Sequence, residues 1–170
     1  MKIAILGYSG SGKSTLARKL GEYYRVDVLH FDRVQFLPGW EVRPQEEKEK
    51  LTQDFLDSHT DWVIDGNYSK LSYERRMEEA DKIILLLFNR FTCLRRVTRR
   101  YHTYRNATRP DMGVGCNEKL DWEFIIWVLW KGRTKTDRQR YRHVMAQYPD
   151  KIVVIKNQRQ LDAYLAQFSV

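Results

Sequence analysis

Short apolar runs alternate along the chain with longer stretches whose apolar residues recur every three or four positions. The runs fall at 2–6 (Lys2-Ile-Ala-Ile-Leu6), 26–31, 62–65, 82–88 and 151–156. Each has the length and continuity of a strand buried on both faces. The helical patterns cover 13–24, 44–59, 71–80, 90–105, 118–131, 136–147 and 158–168. Strands separated by helices of that length predict an α/β fold, a parallel sheet with helices on both faces. Pro44 suits a first helical position, and Pro149 separates a helix from the last strand. No repeat, low-complexity tract or linker interrupts the pattern, so residues 1–170 are expected to form one domain.

The junction between the first run and the first helix carries Gly7-Tyr-Ser-Gly-Ser-Gly-Lys-Ser14. This is G-x-x-x-x-G-K-[ST], a phosphate-binding loop in the strand–helix setting its mechanism requires. Gly7, Gly10 and Gly12 let the backbone curl and point successive N–H groups at a phosphate. Lys13 can reach the outer phosphates, and the Ser14 hydroxyl can ligate Mg²⁺, which keeps its other positions for water and phosphate oxygens. The following helix adds its N-terminal partial charge. Gly7, Tyr8, Ser9, Gly10, Ser11, Gly12, Lys13, Ser14 and Thr15 are therefore the candidate donor-binding residues, within a three-layer P-loop fold. In such sheets ligands lie beyond the carboxyl ends of the strands, where this loop sits.

Composition narrows the setting. Cys93 and Cys116 are too few for a disulfide framework and lack metal spacing, so reduced thiols in a cytoplasmic protein are expected. The N-terminus lacks signal-peptide character, and the longest apolar runs are far too short to span a membrane. The net charge of +8 is regional: residues 89–110 hold seven arginines and no acid, and residues 131–142 add six basic residues against Asp137. Without those two segments 17 basic and 21 acidic residues remain, a net of −4. Such a basic region suits a polyanion, either nucleotide phosphates or a nucleic-acid backbone.

Other candidates follow the strands. Asp32, after the second strand, can accept or orient a proton from an attacking hydroxyl, or hold Mg²⁺ through water; it can equally be a turn aspartate. Phe36 and Trp40 flank a Pro-Gly turn and can stack on a planar acceptor or serve as core, and Arg43 could ground an acceptor phosphate. Trp62-Val-Ile-Asp65-Gly66 has the form of the second acidic motif of phosphate-loop enzymes, making Asp65 a candidate for the metal or its waters. On a helix from Arg90, Phe91, Leu94, Val97, Tyr101 and Tyr104 would form the buried face. Arg95/Arg99 and Arg96/Arg100 would then form two i, i+4 pairs, whose mutual repulsion an anionic ligand would relieve. Residues 121–130 are apolar nearly all round and predict a buried helix.

The loop, His30-Phe-Asp32 with Pro38-Gly39-Trp40, Trp62 to Tyr68, and Cys93-Leu-Arg-Arg96-Val-Thr-Arg-Arg100 together resemble the adenylate-kinase-related proteins labelled "DNA topology modulation", or FlaR-type. The resemblance spans essentially the whole chain. It implies a five-stranded parallel sheet of the nucleoside-monophosphate-kinase type and an arginine-bearing lid within about 89–142, with Arg96 and Arg100 as lid arginines. Asn89 departs from many related kinases, where an acid is frequent.

The expected activity is ATP- and Mg²⁺-dependent phosphoryl transfer to a small acceptor, a nucleoside or nucleotide. Lys13 would hold the donor and Ser14 and Asp65 the metal. Asp32, Trp40 and Asp65 would hold the acceptor, while Arg96 and Arg100 neutralise the moving group. The alternative is a nucleotide-regulated DNA-binding protein that modulates DNA topology. No D-x-x-G or N-K-x-D pattern supports a regulatory GTPase. Oligomeric state is not legible.

Overall fold

A computed structural model describes residues 1–168. The chain begins β1 (Lys2–Gly7), α1 (Lys13–Tyr24), β2 (Val28–His30) and α2 (Phe31–Gln35), then a small hairpin of β3 (Phe36–Leu37) and β4 (Glu41–Val42). It continues α3 (Gln45–Ser58), β5 (Trp62–Asp65), α4 (Tyr73–Glu79), β6 (Lys82–Leu86) and α5 (Arg90–Thr103). The last elements are α6 (Trp122–Leu129), α7 (Lys135–Gln147), β7 (Ile152–Ile155) and α8 (Gln158–Leu165).

Five strands form one sheet in the order β2-β5-β1-β6-β7, and every pairing is parallel. The apolar residues that make β1, β5 and β6 continuous in sequence are buried on both faces, with Ile3, Ile5, Ile64 and Ile83 fully enclosed. The register sets Ile5 and His30 level with Asp65. One edge therefore collects the phosphate loop after β1, Asp32 after β2 and Asp65 at the end of β5.

Three local expectations change. The run at 26–31 is a strand only over Val28–His30; Phe31 and Val34, three apart and both buried, turn the chain into the short helix α2. Asp32 is thus a helical residue, and the hairpin that follows is too short for periodicity to reveal. On α5, Phe91 is 73% exposed, whereas Cys93 and Val97 are buried beneath the phosphate loop. Helix α6 is not buried all round: Trp122, Trp127 and Trp130 are exposed. It starts later than its pattern suggests because Asp121 caps it, accepting from the Phe124 N–H at 2.8 Å. Between α5 and α6 the chain is irregular, joined by single bridges Arg105–Glu118 and Thr108–Asn117. Both cysteines are buried free thiols, and among the described residues no helix is long and apolar enough to cross a membrane.

Candidate active site

The phosphate loop is wound as its glycines allow. Gly7, Gly10 and Gly12 all have positive φ, at 146°, 76° and 96°. At Gly10 a Cβ would lie 2.6 Å from Val97 Cγ2 and 2.7 Å from the Cys93 carbonyl oxygen, so this residue also admits α5 against the loop. Gly7 is latched from the side. Its N–H donates to Asn67 Oδ1 at 2.9 Å, and its carbonyl accepts from Asn67 Nδ2 at 2.7 Å. The Asn67 amide thereby supplies a rung where the β1–β5 ladder ends.

Lys13 Nζ donates to the Tyr8 carbonyl at 3.1 Å, closing the loop on itself. Burial pulls the Lys13 ammonium below the usual lysine range, and the nearby charges of Asp65 and Asp32 push back. The Ser11 hydroxyl is enclosed without a hydrogen-bond partner among the described residues, an open demand for a polar group at the turn.

A cavity of about 1200 Å³ opens over the loop. Of the nine predicted donor-binding residues, Ser9, Gly10, Gly12, Lys13, Ser14 and Thr15 line it; Gly7, Tyr8 and Ser11 build the loop from beneath. Tyr8 instead lies under the Arg133 guanidinium, 3.8 Å from its ring centroid, and edge-on to Tyr141.

Asp32, Trp40, Asp65, Arg96 and Arg100 also line the cavity, so the structure brings these predicted residues together. Asp32 accepts from the Tyr68 hydroxyl at 2.8 Å through one carboxylate oxygen. Burial, then the Asp32 charge, pushes the Tyr68 phenol far above its ordinary range, so it remains a donor. Asp65 is 3% exposed and pairs with His30 Nδ1 at 2.7 Å. Trp40 stands edge-on to Phe36, its indole N–H on the Asn117 carbonyl at 3.0 Å. Its φ of 69° is rare for a bulky residue and costs about 1–3 kcal/mol.

The arginines divide by face. Arg95 and Arg99 are exposed, whereas Arg96 and Arg100 turn inward. Arg96 donates to the Ser11 carbonyl and to Gln158 Oε1, with its guanidinium over the Phe88 ring. Arg100 meets Glu118 at 2.7 Å, and Arg109 grips the other oxygen of the same carboxylate at 2.6 Å. Arg109 also pairs with Asp111 at 2.9 Å. Repulsion between the inward arginines and their neighbours is thus relieved inside the protein, by Glu118 and by loop carbonyls.

Arg43 does not reach the cavity. Its Nε donates to the Val34 carbonyl at 2.9 Å and its guanidinium lies 3.5 Å from Glu47, which corrects the acceptor-phosphate expectation. Asn89, the departure noted above, caps α5 by accepting from the Thr92 N–H at 2.9 Å. Asn67 and Tyr68 entered the sequence reading only as the end of the segment from Trp62 to Tyr68 and Arg109 only as one of seven clustered arginines, while Glu118 was not singled out. One signal existed for Glu118: it and Asp111 are the only acids between residues 82 and 118.

The donors present fit Mg²⁺ held with water rather than a protein cage. Ser14 Oγ and the carboxylates of Asp32 and Asp65 share one cavity, and among the described residues no cluster of three or more His, Cys, Asp or Glu could enclose a metal. Few protein ligands and retained waters are what Mg²⁺ prefers beside phosphates.

No family model matches the chain, and no curated protein matches it in sequence. Solved structures match over nearly all of both chains. TT1252 from Thermus thermophilus has a TM-score of 0.53 at 17% identity, covering 100% of this chain and 98% of that one. An uncharacterized protein from Eubacterium ventriosum gives 0.53 at 14%, covering 99% and 97%. Deoxyadenosine kinase from M. mycoides with bound dATP gives 0.54 at 14%, covering 98% of each. The fold, an α/β architecture on a five-stranded parallel sheet, is shared with these solved structures, the deoxyadenosine kinase among them. At these identities the likeness extends to the fold alone.

Proposed function

We propose that the chain is an ATP- and Mg²⁺-dependent phosphotransferase acting on a small acceptor, a nucleoside or nucleotide, as one cytoplasmic domain whose segment 89–142 serves as the lid. The observation that carries this reading is the convergence of Lys13, Ser14, Asp32 and Asp65 on one cavity at the carboxyl edge of the sheet. The loop amides and Lys13 would hold the donor phosphates. When bound, Mg²⁺ would neutralise phosphate oxygens, with Ser14 Oγ as its protein ligand and Asp65 acting through water. Asp32, one oxygen fixed by Tyr68, would orient the acceptor hydroxyl and take its proton. Arg96 and Arg100 would neutralise the transferring group once phosphate displaces their present partners.

The DNA-binding alternative draws on the same arginines. Arg96, Arg100 and Arg109 line the cavity over the phosphate loop, which favours the enzymatic reading. The test is transfer of labelled phosphate from ATP to a panel of nucleosides, nucleotides and sugars, with Lys13→Ala as control. Transfer lost in the variant supports the proposal. No transfer by the wild type, together with no calorimetric Mg·ATP uptake at millimolar concentration, overturns it.

A further inference from the structure

Lys48 is the buried cation that the roles above leave unused. It projects from α3, is 7% exposed, and lines the cavity on the side of Asp32 and Trp40. Among the described residues no carboxylate lies within ion-pair distance of it; its one hydrogen bond runs to a neutral group, Gln35 Oε1, at 3.1 Å. An ammonium that lines the cavity and is held only by an amide keeps N–H bonds for a negative group to complete its surroundings.

Gln35 ties this cation to the reacting end. It follows Asp32 by three residues on α2, the spacing that places two side chains on one helix face. Both line the cavity. With the Gln35 carbonyl already accepting from Lys48, the pair presents mainly donors, the Gln35 amide N–H groups and the remaining Lys48 N–H bonds. Asp32 offers only acceptors. The acceptor side therefore has two poles, one for a hydroxyl and one for an anionic oxygen group.

Three other cations near this wall are already engaged, and Lys119, which also lines the cavity, stands over the Trp40 ring 5.3 Å from its centroid. Arg43 is spent on the Val34 carbonyl and Glu47, Arg33 on the Pro110 carbonyl, and Arg76 on three backbone carbonyls behind the cavity.

We infer that the acceptor is a hydroxyl compound bearing a carboxylate or phosphate, whose hydroxyl meets Asp32 and whose anionic group is held by Lys48 and Gln35. This rests on the phosphotransferase reading and narrows it, since an uncharged nucleoside would leave Lys48 uncompensated. In the transfer, the hydroxyl oxygen bonds to the terminal phosphorus of ATP, the bond to the bridging oxygen breaks, ADP leaves, and Asp32 receives the hydroxyl proton.

The test measures binding and turnover separately. Calorimetry with the intact chain would compare D-gluconate (a hydroxy-carboxylate), ribose 5-phosphate, AMP and neutral adenosine. Label transfer from ATP would be followed for the same compounds. One or more of the anionic compounds should bind and accept phosphate on a hydroxyl oxygen, with adenosine far weaker; transfer only to the phosphate of AMP, forming ADP, overturns the hydroxyl assignment. Lys48→Met should lower binding of that compound roughly 10- to 100-fold, the value of a charged hydrogen bond, while Mg·ATP affinity holds. Gln35→Glu, which neutralises Lys48 without emptying its site, should do the same if Lys48→Met does not fold. The gluconate and sugar-phosphate arms distinguish carboxylate from phosphate. Adenosine binding as tightly as the anionic compounds, or both variants binding them unchanged, overturns the inference while leaving phosphoryl transfer standing. Absence of both ATP uptake and transfer overturns the phosphotransferase reading and this inference with it.

Discussion

Replacing Glu118 by Gln removes one charge from the centre of a four-residue cluster and keeps its shape. Arg100, Arg109, Asp111 and Glu118 form an electrically neutral group, two cations against two anions. Glu118 has 2% of its side chain exposed, Arg109 8% and Arg100 25%. Removing one partner of a buried ion pair costs about 3–5 kcal/mol, because the other charge stays behind. Here Arg109 keeps Asp111, and Arg100 is partly hydrated. The expected loss is therefore about 2–3 kcal/mol, a large part of the ~5–15 kcal/mol that holds a typical domain together. Urea unfolding followed by tryptophan fluorescence would read it as a lower midpoint at unchanged slope.

The same substitution should have an opposite effect on anion binding. With Glu118 neutral, the cluster carries one net positive charge beside the phosphate loop, and Arg100 is free to meet phosphate oxygens. Inorganic pyrophosphate at a hundred times its dissociation constant stabilises any binding protein by about 2.7 kcal/mol. A tenfold gain in affinity would add about 1.4 kcal/mol at the same concentration. Glu118→Gln should accordingly be less stable than wild type in plain buffer and recover more than wild type with pyrophosphate. Equal midpoints in buffer, or equal recovery, would refute the assignment of Glu118 as the internal counter-ion of Arg100 and Arg109.

Three further outcomes are expected. Arg76 is fully buried and donates to the carbonyls of Leu71, Tyr68 and Gly66 at 2.9, 2.8 and 3.3 Å; Arg76→Met should cost about 3–5 kcal/mol in urea unfolding, and a loss below about 1 kcal/mol would contradict the geometry. Gly10→Ala places a Cβ 2.7 Å from the Cys93 carbonyl at a φ of 76°; calorimetry should show Mg·ATP affinity falling at least about tenfold, and unchanged affinity would show that the loop yields at no cost. Burial pushes the Tyr164 phenol up to about 12 and raises Tyr141 and Tyr68 as well. An acid whose folded pKa is raised favours the fold fully below the unfolded value near 10, so stability should fall as pH rises from about 10 toward 12, by up to about 1.4 kcal/mol per pH unit per tyrosine; a flat profile over that range would count against it.

How much of this was legible in sequence depends on the range of the interaction that sets each feature. The order of the sheet's core segments and the phosphate loop are local patterns, and every strand of the main sheet coincides with an apolar run. The convergence of Lys13, Asp32 and Asp65 also followed, because in a parallel sheet the segment after each strand lands on one edge. The direction of the arginines on α5 did not follow from apolar periodicity; only the family resemblance singled out Arg96 and Arg100. Apolar periodicity placed Phe91 inside, yet the helix is turned by Cys93 and Val97 docking against Gly10, more than eighty residues away in sequence. That rotation exposes Phe91, carries Arg96 and Arg100 into the cavity, and leaves Arg95 and Arg99 outside. Gly10 thus has two duties: it curls the loop and leaves room for the helix that aims the arginines. A larger residue there would disturb the phosphate loop and the cationic wall together, so loop shape and arginine placement form one structural unit.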